Sequence, residues 1–252
     1  NNAGTGSGGG GGSGADTDSS MSVLGQTVKT GGGRYMSVVN GYTLATDSQL
    51  KDLNTGPLGE AALLGTSASG ETASGAAGGG GATAAAAGPL VSRWDDLKCL
   101  VRVGAQTDTV VTSSNWGTKP SLTPDSGPSA HTVTQVFGSA PSVTYSGNSR
   151  SAWATFASLV LEASYESTLL IGLEAMKRHG GAEGSNTVYL TLLGGGVFGN
   201  DFRWIATAIL EACRACADEP LDVQIVCYGG HVEREIQEVI KIFADEQAAR
   251  AS

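Results

Sequence analysis

Charge is scarce in this chain. Only 15% of its 252 residues are Asp, Glu, Lys or Arg, and aromatic residues make up 6%. The 15 Lys and Arg are outnumbered by 24 Asp and Glu, which leaves a net charge of -9, and they form no basic cluster. A nucleic-acid-binding face needs such a cluster to release phosphate counterions, so no nucleic-acid partner is expected. No apolar run approaches the roughly 20 residues of a membrane-spanning helix, so no membrane association is expected either. The 4 cysteines are too few for a disulfide scaffold in a chain of this size, and no Asn-x-Ser/Thr acceptor occurs; both features suggest a reducing, cytoplasmic compartment. A basic and then apolar leader is also missing: the sequence opens at Asn1 on a Gly/Ser tract. The expectation is therefore no secretory signal, and a fragment or a chain processed from something longer.

Glycine is abundant, at 38 residues, well above an average share of about 7%. Residues 1–34, rich in Gly, Ser, Asp and Thr, cannot bury enough apolar surface to offset their chain entropy and read as a disordered leader. An α/β domain is expected over 35–248. It begins with a short strand from Tyr35, a turn at Asn40-Gly41, and a short helix capped by Thr46 or Asp47. Residues 56–89, with GGGG and AAAA runs, read as a flexible insertion in a surface loop. Order resumes at Trp94. Leu100–Thr112 reads as a strand with Val101, Val103, Ala105 and Thr107 on one face. After a Pro/Ser/Gly-rich loop containing Trp116, Thr132–Tyr145 is again strand-like, interrupted at Gly138–Pro141. The pattern leaves open whether these two strands pair or flank a functional loop.

From Ser151 onward the periodicity is strong. Trp153, Phe156, Val160, Ala163, Leu170 and Leu173 predict one long helix over Ser151–Arg178, ended by Gly180-Gly181. Thr187–Leu193 is a nearly continuous apolar run, the kind buried on both faces of a parallel sheet. A Gly-rich turn follows, then a helix with Phe202, Ile205, Ile209, Cys213 and Cys216 on one stripe. Leu221–Tyr228 predicts a second buried strand. The last helix turns Val232, Ile236, Val239, Ile240 and Phe243 inward and carries Glu233, Glu235 and Glu238 near its positive end. Helices and strands alternating with short joints imply an α/β layered fold.

The informative stretch is Gly194, Gly195, Gly196, Val197, Phe198, Gly199, Asn200 and Asp201, between a buried strand and a helix N-terminus. Glycines there let the backbone approach a ligand, and free N–H groups with the helix dipole favour phosphate. The carboxyl end of a parallel strand is also where open α/β sheets bind ligands. The plain alternative is a tight turn needing positive φ, with Asn200 or Asp201 as N-cap. One or two glycines would satisfy it, whereas four within six residues point to close backbone approach. Gly194, Gly196 and Gly199 also fit G-x-G-x-x-G, but no acidic residue ends the next strand, where Cys227-Tyr228-Gly229-Gly230 stands, and a Rossmann dehydrogenase is disfavoured. Cys213 and Cys216 fall on the apolar stripe of a helix and read as small core residues rather than a metal or redox pair. His131, His179 and His231 are scattered, Ser139 lacks a nucleophile-elbow pattern, and no metal or cofactor is called for.

The run VYLTLLGGGVFGND, a helix, and then VQIVCYG together resemble the C-terminal half of macro domains, which are ADP-ribose-binding α/β/α modules. Gly195, Gly196, Val197, Phe198 and Gly199 match that family's second phosphate-binding loop. The blocks VNGYTL, LVRVGAQTDT, VTQVFGSA and LVLEASYESTLL resemble a divergent macro-like group, so the resemblance spans about Tyr35–Gly229 outside the Gly/Ala insertion. It implies a three-layer α/β/α fold with a mixed, largely parallel sheet, here without its N-terminal strands. It also implies that Gly195–Gly199 wrap a diphosphate, Phe198 packs on the distal ribose, and Tyr228 approaches the adenine. The family's Asn-rich loop and adenine-contacting Asp have no counterpart here. Because family members that remove ADP-ribose draw essential groups from those segments, hydrolysis does not carry over to this chain and is left open only for an intact parent. Binding of ADP-ribose or a related nucleotide diphosphate is the leading expectation. Two alternatives stay open: an enzyme acting on another phosphorylated small molecule, and a non-catalytic interaction protein. A sheet lacking its first strands would also expose an unpaired edge and an apolar face.

Overall fold

The structure is a computed structural model describing residues 20–23, 26–29, 37–39, 42–59, 93–111 and 131–251. Within the expected leader, β1 (Ser20–Val23) and β2 (Gln26–Lys29) form an antiparallel pair. β3 (Ser37–Val39) and β4 (Tyr42–Leu44) form a second one, adding a strand to the expected strand-turn-helix unit. The turn Asn40-Gly41, residues 60–89 of the expected insertion, and the loop around Trp116 lie outside the described residues. α1 (Asp47–Thr55) is capped by Thr46 and not Asp47: the Thr46 hydroxyl accepts from the Gln49 N–H, and the Gln49 side chain accepts from the Thr46 N–H. This reciprocal pair satisfies two N–H groups that a helix start leaves open. A short helix, α2 (Arg93–Lys98), follows.

β5 (Gly104–Val110) and β6 (Thr132–Phe137) pair antiparallel, which settles the alternative left open by their patterns. Both are shorter than expected. Val101 and Val103 precede β5, and Val143–Tyr145 form a 3₁₀ turn in place of a strand end. Ala105 and Thr107 are exposed and do not form a buried face, because the register shifts between Gln106 and Thr109 and Asp108 turns the chain at φ 53°. Such a bulge leaves the extra residue unpaired and bends the strand.

The spine of the molecule is α3 (Arg150–Arg178), with Ser149 as N-cap, and Gly180 and Gly181 beyond its end in the left-handed region. By length and composition alone it is apolar enough to cross a membrane. Trp153, Leu161, Tyr165 and Leu169 are nonetheless buried inside the protein, as in a core helix. Leu170, expected inward, is 51% exposed, because the buried line runs through Leu161, Tyr165 and Leu169 instead. Around the N-terminal half of α3, Trp153 packs with Ala45, Leu50 and Val143, and Leu159 packs with Leu53 and Leu58. Around the C-terminal half lies the main core. Gly172 is required there: a Cβ on it would come within 2.5 Å of Val188 Cγ2, so a helix and a strand touch at that point.

β7 (Thr187–Thr191) pairs parallel with β8 (Asp222–Val226), Thr187 opposite Asp222 and Thr191 opposite Val226. α4 (Phe202–Ala215) makes the crossover, and α5 (Arg234–Arg250) closes the chain. Val188 and Leu190 join the core with Ile205, Ile209 and Ile236, while Tyr189 on the opposite face is 64% exposed. The expectation of strands buried on both faces is thus corrected: β7 and β8 alternate, because the described helices pack on one face of the pair. Both strands also end early, so Leu192 and Leu193 belong to the loop, and Tyr228 opens a 3₁₀ turn. In α5 only Ile236 is fully buried, and Ile240 is 50% exposed where an inward position was expected. At the coarse level the fold is a mixed α/β protein with small parallel and antiparallel sheets.

Candidate functional site

Tyr165 positions the start of the glycine loop. Its hydroxyl donates to the Thr191 carbonyl at 2.8 Å and accepts from the Leu193 N–H at 2.9 Å, so the turn out of β7 is fixed from α3. Burial pushes this phenol up and keeps it neutral. From there the loop folds back on itself. Gly195 N–H bonds to Leu192 O, Gly199 N–H to Gly196 O, and Asn200 N–H to Gly194 O, each at 3.0–3.1 Å. Asn200 is only 3% exposed, and its Nδ2 donates to Pro141 O at 2.8 Å and Gly194 O at 3.3 Å. The loop is also fastened to the turn before α3, since Thr144 N–H donates to Phe198 O at 3.0 Å and the Tyr145 and Phe198 rings meet edge-on, centroids 6.1 Å apart.

The glycines separate by what the fold demands of them. Gly194 and Gly199 sit at φ 72° and 70°, where L side chains are strained. A Cβ on Gly194 would collide with Asn200 Nδ2 and Ala140, and one on Gly199 with Thr144 Oγ1. A Cβ on Gly195 would come within 2.8 Å of the Phe202 ring. Gly196 differs. It has no positive φ, and no atom lies within 4 Å of where its Cβ would be. The N–H groups of Gly196 and Val197 have no acceptor among the described residues, and Val197 is 72% exposed.

The N-cap of α4 is Asp201 and not Asn200; its Oδ1 accepts from the Arg203 N–H at 2.9 Å. That carboxylate answers part of the helix's positive end. Two arginines flank it, Arg150 Nη1 at 3.8 Å and Arg203 Nε at 3.9 Å, with side chains 60% and 80% exposed. Sequence reasoning missed both. Arg203 follows the glycine loop by four residues and could have been found as a helix-start cation, whereas Arg150 reaches the site only because α3 begins beside it. Tyr228 is 98% exposed just past β8, on the same carboxyl end of the sheet as the loop. Phe198 is half-buried against the core and Tyr145, so it braces the loop from inside.

The remaining candidates fall elsewhere. Cys216 is buried and Cys213 half-buried at the far end of α4, and burial pushes the Cys213 thiol up to about 11, which suits core residues. Among the described residues no cluster of His, Cys, Asp and Glu can hold a metal. His231 is exposed, 3.8 Å from Glu233. Ser139 is exposed. A second concavity of about 340 Å³ lies between β6, α3 and β7, lined by Asp108, His131, His179 and Ser185. His179 Nε2 is 2.7 Å from Asp108 Oδ1, and this contact, with Arg178 nearby, holds the Asp108 carboxyl below its usual range. The 71-residue separation of that pair is invisible to spacing rules. No protein-family model matches the chain, no curated protein matches it in sequence, and no solved structure matches it in fold.

Proposed function

We propose that the chain binds ADP-ribose or a related nucleotide diphosphate at the Gly194–Asp201 loop. The observation that carries this reading is Gly196. The fold accounts for its three neighbouring glycines by φ or by collision but places no demand on this one, which leaves an open patch of backbone. Its N–H and that of Val197 point to no described acceptor, and this patch lies outside the carboxyl end of a parallel strand, where backbone N–H groups receive phosphates. Arg150 and Arg203 supply the cations that Asp201 alone would deny a diphosphate. Tyr228 is the exposed aromatic on the same edge and is assigned to the base. Phe198 does not fit the ribose contact implied by the resemblance unless it leaves Tyr145. The three-layer α/β/α arrangement belongs to the same proposal, and calls for cover on the Tyr189 face that the described residues do not supply.

The test is calorimetric titration of ADP-ribose, AMP and ribose 5-phosphate into the wild-type chain and Gly196→Phe. Saturable binding of ADP-ribose, lost in Gly196→Phe with an unchanged unfolding midpoint, is the expected result. Binding of the sugar phosphate alone would transfer the site to another phosphorylated substrate. No heat from any of the three would leave the loop as a turn in a non-catalytic interaction protein.

A further inference from the structure

At the opposite end of α4 from the glycine loop, a cavity of about 350 Å³ opens between α4, β8 and α5. Its floor is Leu169 and Ile209, and its walls include Cys213, Val223, Val239 and Phe243. The pocket is partly open to solvent, and most of its lining side chains are apolar. The volume here lies within the range of about 300–1,000 Å³ typical of small-molecule sites. Only two polar side chains reach the lining, Glu219 and Gln247. Gln247 can donate to and accept from a ligand's polar end. A carboxylate end would face Glu219 and a chain of net charge -9.

We infer that this cavity is a binding site for a small uncharged apolar molecule with one hydrogen-bonding end, of the class of a medium-chain alcohol. The ligand is held without a covalent bond, since burial keeps the Cys213 and Cys216 thiols protonated. The site is independent of the glycine loop and stands whether or not that loop binds a nucleotide.

The cysteines provide the readout. Cys213 and Cys216 line the cavity, while Cys99 and Cys227 lie outside it. The full chain is alkylated with iodoacetamide at mildly alkaline pH with 1-octanol, with octanoate, or with neither, and each cysteine is followed by mass spectrometry. At octanol ten times its Kd, labelling of Cys213 and Cys216 is expected to slow about tenfold, because only the ligand-free fraction opens. Cys99 and Cys227 are expected to be unaffected, as is every cysteine in octanoate. Val239→Phe fills the cavity and removes the protection, and Ile240→Trp, at a half-exposed lining position, does the same should Val239→Phe not fold. Ile242→Phe, on the same helix but outside the lining, retains it. Octanol without effect, equal slowing at all four cysteines, or protection that survives both filling variants would overturn the site. Equal protection by octanoate would overturn the ligand class.

Discussion

Gly199 and Gly196 stand three residues apart in one loop and differ in every physical respect that matters. Gly199 holds φ 70° with Thr144 Oγ1 where a Cβ would go, while Gly196 faces open space. An L-residue in the left-handed region costs about 1–2 kcal/mol, and the collision with Thr144 adds to it. Gly199→Ala is therefore expected to lower the unfolding free energy by about 2 kcal/mol or more, read as a shift of the urea midpoint at constant slope. Gly196→Ala is expected to stay within about 0.5 kcal/mol of wild type, as surface changes do. Equal destabilisation by the two would mean that Gly196 is a structural glycine, and the proposed phosphate contact would lose its main support. The sequence showed four glycines in a strand-to-helix joint but could not rank them. Ranking needs Thr144 and Ala140, more than 50 residues upstream, and only the folded chain brings those beside the loop.

At the scale of elements, α2 meets α3 through Trp94 and Leu97, which pack on the cluster around Leu159, and through two polar contacts. Trp94 Nε1 donates to Glu162 Oε2, and Lys98 Nζ to Glu166 Oε2, both at 2.7 Å. Burial raises the Glu162 carboxyl above its ordinary 4.5, against the opposing pull of the Trp94 bond and Lys98. A carboxyl whose pKa rises on folding contributes stability below its unfolded value, and that contribution is lost as pH climbs through the folded value. The wild-type chain should therefore lose stability from pH 4.5 upward relative to Glu162→Gln, which keeps an acceptor for Trp94 and never ionises. Urea midpoints at about pH 4 and pH 7 check this, and a gap between the two proteins that fails to widen at the higher pH would refute it. Elements like α3, α4 and α5 were legible because local periodicity of Trp153, Ile205 or Ile236 fixes a buried stripe within one segment. The face of a strand was not legible. Thr187–Leu193 is apolar enough for burial on both sides, yet whether Tyr189 is covered depends on layers supplied by distant parts of the chain. The Asp108 bulge, likewise, is a property of register between two strands and leaves no composition signal.

For the whole molecule, the balance lies between apolar strand faces that the described residues leave uncovered and a strong like charge. Tyr189 at 64%, Val226 at 48% and Phe137 at 57% exposure stand on strands whose cover the described residues do not provide. Exposed strand faces and edges promote association, while a net charge of -9 holds copies apart. The two forces respond oppositely to salt. Screening shortens the Debye length from about 10 Å at 0.1 M to about 3 Å at 1 M and removes the repulsion, but leaves apolar contact intact. Sedimentation velocity should therefore show self-association that grows with chain concentration and with added salt. An association built on ion pairs such as Arg214 with Glu246 would instead weaken in salt. Tyr189→Lys places a cation at the centre of the open face and should return the chain to a monomer under the conditions where wild type associates, without changing its unfolding free energy by more than about 0.5 kcal/mol. A wild-type chain that stays monomeric at every concentration and salt level would refute this association and show that the exposed area around Tyr189 is too small to hold two copies together.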